Sequence, residues 1–148
     1  RRQAVEVLGS IPGTASARSV AGRLRDPDPE VRMASYRFFL NRPYRGIAKV
    51  LRSILSETDL ESLSLSERKL LFTVYGAAAG SEGAPELAAA LAGRRAFEQR
   101  LSSETRGCAA LALARIRGPL ARIALSDARS SQDPVVRNAA RIALQGDV

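Results

Sequence analysis

A short segment recurs along this chain, and its recurrence constrains the fold more than any other feature. The stretches "DPEVRMASYRFF" (28–39) and "DPVVRNAARIAL" (133–144) both place Asp-Pro ahead of Val-Arg, with small residues two and three places beyond the Arg. Arg106 in "SSETRGCAALAL" and Arg68 in "SLSERKLLFTVYG" take the same place, and Arg1 in "RRQAVEVLG" reads as the tail of one more copy. Successive anchors are separated by 31, 36, 38 and 31 residues. A period of that length marks one supersecondary unit used several times.

The residues ahead of each anchor say what the unit is. Four places before the Arg stands Asp28, Ser64, Ser102 or Asp133. All are N-cap types, whose side-chain oxygen accepts from a free N–H in the first helical turn. Pro29 and Pro134 follow two of them, and proline suits the first helical position. Ser64 with Glu67 has the spacing of a capping box. Beyond the anchor, apolar or small residues fall at −1, +2, +3, +6 and +7, a 3.6-residue period that makes one buried stripe. Helices are expected over 28–41, 64–79, 102–116 and 133–145, with the end of another over 1–9.

Shorter amphipathic segments lie between them, over 15–25, 44–56, 85–93 and 119–127. Pro43, Pro85 and Pro119 mark first turns, and Gly13, Gly83 and Gly118 mark the loops before them. Stretches 58–63 and 94–101 read as irregular linkers. No useful strand alternation appears. The expected fold is all-α: about four helix–turn–helix units stacked in a single domain over 1–148.

The pattern from Leu24 to Ser35, and "DPVVRNAARIAL" even more closely, resembles HEAT repeats, in particular the short HEAT-like repeats of bacterial proteins and of phycobilisome-lyase relatives. The resemblance covers nearly the whole chain. It departs most at the Arg68 copy, where Lys69, Leu70 and Leu71 replace small residues. It implies an α-solenoid in which the Asp and Arg near each turn bond along the stack. On that basis Asp28, Arg32, Arg68, Arg106, Asp133 and Arg137 are structural, tying one repeat to the next. The chain starts without an initiator Met and is read as a piece of a longer protein.

Composition removes several chemistries. There is no His and only Cys108, so neither a Ser-His or Cys-His pair nor a usual zinc site can be assembled. An isolated Cys fits a reducing, cytoplasmic setting. No close acidic cluster with loop glycines suggests Mg²⁺ or Ca²⁺. No metal, cofactor or catalytic residue is expected, and no apolar run reaches the roughly 18 residues that span a bilayer.

The net charge of +8 comes from 21 Arg and two Lys against 15 acids. It is concentrated early: residues 1–58 carry 11 basic and 5 acidic side chains, residues 59–148 carry 12 and 10. Such a bias invites a nucleic-acid or other anionic partner, and the plain alternative is GC-rich codon usage. Three features are candidate contact surfaces. Arg37, Arg42, Arg45, Lys49 and Arg52 lie in a stretch without acids, the last three at i, i+4, i+7 on one expected helix face. Tyr36 and Phe72 share position +4 and are expected at a groove edge beside Arg37 and Lys69, where aromatic and Arg anchors carry binding energy. Arg94, Arg95 and Arg100 flank Phe97 in a long linker. The plain alternatives are a solvated helix face, local core filling and a solvated loop. Cys108 is read as a buried small residue.

The function expected is a non-catalytic protein-interaction scaffold with a protein partner, notably an acidic one. The alternative is a nucleic-acid-binding module, or an enzyme of the HEAT-like DNA-glycosylase type. Those enzymes use Trp and a catalytic acid in the groove, and this chain has no Trp and no matching acid. A bilin-lyase-like role has no residue in its support.

Overall fold

A computed structural model describes residues 2, 3, 5, 14–42 and 44–146 of the protein. The anchor Arg1, most of segment 1–9, Gly13 and Pro43 lie outside the described residues. Helices follow in the order α1 Thr14–Ala21, α2 Pro29–Asn41, α3 Ala48–Glu57, α4 Leu65–Ala79, α5 Ala84–Leu91, α6 Ser103–Ile116, α7 Pro119–Ala128 and α8 Pro134–Gln145. The fold is all-α. Among the described residues the only extended pairing is an isolated bridge between Ala96 and Gln99.

The four anchored helices begin where their caps dictate. Asp28 accepts from the Glu30 N–H at 2.9 Å, Ser64 from Glu67 at 3.1 Å, Ser102 from Thr105 at 3.3 Å and Asp133 from Val135 at 2.9 Å. Each bond satisfies a first-turn donor that the helix itself leaves free. Only half of the Ser64–Glu67 box forms, because both Glu67 oxygens are taken by Arg32. The chain leaves α5 through Gly93 at φ 83°, with Arg94 N–H bonded to Ala89 O at 2.9 Å and Gly93 N–H to Ala90 O at 3.1 Å. That is a Schellman ending, and the positive φ is why glycine stands there.

Three expected boundaries move, the first being that α1 ends at Ala21, four residues before the expected 25, with turns over 22–25. Residues 45–47 form a 3₁₀ turn and α3 starts only at Ala48, so Arg45 is off the helix that carries Lys49 and Arg52. No open loop separates α4 from α5, since Gly80–Gly83 is itself a 3₁₀ turn.

The anchored helices pack in order, α2 on α4, α4 on α6 and α6 on α8. The short helices form the other side: α3 lies on α4, α5 on α6 and on α7, and α7 on α6 and α8. The predicted stripe supplies the core between the two sides, with Val31, Leu71, Val74, Ala109, Ala112, Leu113, Val136 and Ala140 buried. α4 and α6 approach closely at Gly76, where a Cβ would meet Ala112 O at 2.9 Å.

In place of an extensive contact between α3 and α5, the 94–101 linker folds in as a wedge. Phe97 is buried, its ring edge-on to Phe72 at 5.9 Å and to Tyr75 at 5.7 Å. Its N–H donates to Glu86 Oε2 at 2.9 Å, and Gln99 Nε2 donates to Leu55 O at 2.7 Å and Thr58 O at 3.1 Å. Phe97 and Glu98 form a tight turn at φ 52° and 63°, closed by reciprocal 3.1 Å bonds between Ala96 and Gln99. Non-glycine residues adopt such turns only where surrounding contacts hold them. The linker, read as a contact surface or a solvated loop, thus sends Ala96 and Phe97 into the core while Arg94, Arg95, Glu98 and Arg100 stay exposed.

The ends of α4 and α6 give a direct test of backbone strain. Gly80 closes α4 at φ 60°, ψ −145°, and Arg117 closes α6 at φ 58°, ψ −169°. That region belongs to glycine. Arg117→Gly should stabilise the protein by about 1 kcal/mol, and Gly80→Ala should destabilise it by a similar amount or more, read as opposite shifts in urea midpoint.

Candidate interaction surfaces

The four recurring arginines divide the surface into what is committed to the fold and what is left over. Arg32 binds Glu67 with a two-pronged fork, Nε to Oε2 at 2.7 Å and Nη2 to Oε1 at 2.8 Å. Its Nη1 closes the preceding loop on Asp26 O at 3.0 Å and Pro27 O at 3.1 Å. The Glu67 side chain is only 2 % exposed and that of Arg32 19 %. The fork to Glu67, outweighing desolvation, raises the Arg32 pKa further.

The next arginine makes a lighter link. Arg68 Nη1 donates to Thr105 Oγ1 at 2.9 Å and pairs with Glu61 at 3.4 Å, while Thr105 donates to Glu61 at 2.8 Å. Arg106 reaches only to 3.8 Å from Asp133, and its Nη2 donates to Leu91 O at 3.1 Å. Asp133 also accepts from the Ser103 hydroxyl. Arg137 bonds Ser131 O at 2.9 Å, the carbonyl six places back, as Arg32 does with Asp26. Asp28 serves its own helix as N-cap.

The gradient is written one place before each anchor. There the receiving residue is Glu67, then Thr105, then the apolar Val136. Glu67 and Thr105 were missed as functional positions in the sequence, although a polar residue in an otherwise apolar stripe is the signal that finds them.

The basic segment is less uniform than its sequence implied. Arg52 is spent: its fork holds Glu86 of α5 at 3.0 and 3.1 Å, and Nη1 donates to Ser56 Oγ at 3.1 Å. The same Glu86 receives Phe97 N–H, so Arg52 braces α3 to α5 and to the wedge. Arg42 lies over the Phe38 ring at 5.5 Å. Arg37, Arg45 and Lys49 are exposed, on α2, the 3₁₀ turn and α3 respectively, and so do not share one helix face. Arg94 is exposed, whereas Arg95 clamps the wedge turn through Glu98 O at 2.8 Å.

Tyr36 and Phe72 are buried at 1 % and 0 %, so of the two readings, groove edge and local core filling, the structure has core filling. Position +4 is a core position in both helices. Phe72 packs under Phe97, and Tyr36 lies at the floor of a half-open depression beside Leu24, Ile54 and Leu63.

A groove nevertheless exists, elsewhere. It crosses α4, α6 and α8, holds about 320 Å³ and is lined by Leu65, Leu111, Val135 and Ile142 with Lys69 and Glu104. Val135 and Ile142 are 46 % and 50 % exposed. Cys108 also lines this groove, but burial pushes its thiol up to about 11, so it stays protonated and a poor nucleophile. Among the described residues no helix is long and apolar enough to cross a membrane.

Compared with known proteins, the chain matches no family model, and no curated protein is similar to it at a significant level.

The graded links predict graded losses. Arg32→Ala strands a buried carboxylate and should cost about 3 kcal/mol, whereas Arg137→Ala should cost less than about 1 kcal/mol in the same urea titration. Acid should loosen the later links. Partial desolvation opposes ionisation of Glu61, but bonds from Ser102 and Thr105 and the charge of Arg68 outweigh it and lower its pKa. The Ser103 hydroxyl, with the Val136 and Val135 N–H groups and Arg106, lowers that of Asp133. Depressed carboxyls stabilise fully above their unfolded values near about 4, and the contribution disappears as pH falls through the lower folded values. Melting temperature should therefore drop below about pH 4, and Glu61→Gln with Asp133→Asn should flatten that drop.

Proposed function

We propose that the protein is a non-catalytic interaction scaffold, a HEAT-like α-solenoid that works in the cytoplasm and seats a segment of a partner protein. The observation that carries this reading is the apolar groove across α4, α6 and α8. Three successive helices contribute to it, and two of its large apolar side chains stay about half exposed. Stacked repeats produce extended surfaces of this kind, and apolar side chains left open in a concave setting are the usual mark of a docking site.

The charges beside it suggest the partner's chemistry. Lys69 lines the groove, and Arg37 stands exposed on α2, the neighbour of α4, with no carboxylate partner among the described residues. A segment with an apolar anchor followed by acidic residues suits this order, the anchor lying toward Ile142 and the acids toward Arg37. Acidic residues would add rate and orientation, and the buried apolar anchor most of the affinity.

A nucleic-acid reading is supported by the exposed Arg37, Arg45 and Lys49, but Arg52 and Arg95 are already engaged within the fold. Phosphate contacts have a plain signature, an affinity that falls steeply with salt.

Peptide display against the whole protein should select sequences with an aliphatic or aromatic anchor next to Asp or Glu. Ile142→Glu should weaken the selected peptides at least tenfold with little change in melting temperature, since Ile142 is half exposed. Arg37→Glu with Lys69→Glu should weaken them several-fold, and less so in high salt. Unchanged binding in Ile142→Glu, or tight salt-sensitive binding of mixed-sequence DNA or RNA in its place, refutes the scaffold reading.

A further inference from the structure

The anchor arginines form a series, and its last member reaches nothing beyond its own helix pair. Arg32 bonds across to Glu67 on α4, Arg68 to Thr105 on α6, and Arg106 pairs with Asp133 at the start of α8. Arg137 holds the same place on α8, and no helix follows α8 among the described residues. It nevertheless keeps the loop bond of the first copy. Its Nη1 donates to Ser131 O at 2.9 Å, six residues back, as Arg32 Nη1 donates to Asp26 O at 3.0 Å. In Arg32 the other edge of the guanidinium, Nε with Nη2, takes both oxygens of Glu67. In Arg137 that edge is exposed and has no partner among the described residues. A guanidinium is planar, so the bond at Nη1 limits where the opposite edge can turn.

The surroundings of Arg137 differ from those of the earlier anchors. At +4, where α2, α4 and α6 carry buried Tyr36, Phe72 and Ala110, α8 carries exposed Arg141. At +8 it carries exposed Gln145. Arg137 and Arg141 are one turn apart and share a face. Helix α8 contains no acid, and Asp133 ahead of it is engaged by the Ser103 hydroxyl and the Val135 N–H. Neither arginine lines the groove across α4, α6 and α8. The outer face of a terminal repeat is polar for solubility, which asks for polar groups of any kind. It does not ask for cations alone, nor for one of them tied back to a loop carbonyl.

We propose that this face of α8 receives an acidic helix of a partner protein. One carboxylate of that helix is forked by Nε and Nη2 of Arg137, as Glu67 is by Arg32, and a second, one turn on, meets Arg141. The fold already contains the template for the first contact, and the loop bond at Ser131 lowers the ordering cost of repeating it in trans. Two cations on a single helix are few for a phosphate backbone, which is recognised by longer runs of charge. They suit two carboxylates at helical spacing.

The test uses the whole protein and a capped, alanine-based helical peptide with two Glu one turn apart, followed by NMR at the arginine Nε–H resonances. The Arg137 resonance should move saturably, while those of Arg37 and Arg94 should not. The same peptide with Gln for both Glu should leave Arg137 unmoved. Arg137→Lys keeps the charge and loses the fork, and should weaken the Glu peptide about tenfold, with the melting temperature unchanged. Arg141→Gln should weaken it several-fold, and less so in high salt. No saturable shift at Arg137, equal shifts at all exposed arginines, or equal binding in Arg137→Lys overturns the proposal. So does a shift of the Arg137 resonance with protein concentration alone, which assigns the face to a second copy, or tighter binding there of mixed-sequence DNA or RNA.

Discussion

A carboxylate buried as deeply as that of Glu67 is tolerated only because Arg32 meets both of its oxygens. Desolvation consumes much of the attraction in such a pair, so its net contribution to stability is modest. Its geometry, however, is exacting. A planar fork meets a planar carboxylate squarely at one axial offset of α2 against α4, and a slip by one residue would leave a buried charge unmatched. The remaining helices are laid on a register fixed at this first contact, then repeated with a hydroxyl at Thr105 and a long ion pair at Asp133. Apolar burial drives the packing, and the arginines choose which packing it is.

The second side of the molecule follows a different logic. Its short helices are too few in residues to touch one another everywhere, and α3 and α5 meet chiefly through Arg52–Glu86 and the wedge. A single carboxylate, Glu86, thus serves both the inter-helix salt bridge from Arg52 and the N–H of a strained turn. The strain at Phe97 and Glu98 is sustained by contacts far away in the chain, from Leu55 to Glu86. What looks like an insertion in the repeat works as a structural part of the fold.

Local chemistry was legible in the sequence and long-range chemistry was not. The caps Asp28, Ser64, Ser102 and Asp133 set helix starts that match the structure, because a cap acts on the three residues after it. Arg45 was misplaced onto a helix because the same apolar spacing fits both a 3₁₀ turn and the α-helix that follows. Tyr36 and Phe72 could be read as a groove edge or as core filling, because they sit at the border of the stripe, where periodicity alone does not separate core from surface. The burial of Phe97 depends on Glu86 and Gln99 finding partners across the fold, which no window of sequence contains. Of the candidate surface, Lys69 is in the groove, but Val135 and Ile142 looked like ordinary stripe neighbours until three helices were brought side by side.

The wedge also determines how the molecule can bend. Between α3 and α5 three separate ties, a fork, a ring and a doubly donating amide, act as a splint across the outer side. The neighbouring joints are tied differently: α5 packs directly on α7, and Arg25, just beyond α1, pairs with Glu57 at the end of α3 at 3.0 Å. Elastic deformation concentrates where a structure is most compliant, so α3, α5 and the wedge between them should move together as one rigid block when the helices shift against one another.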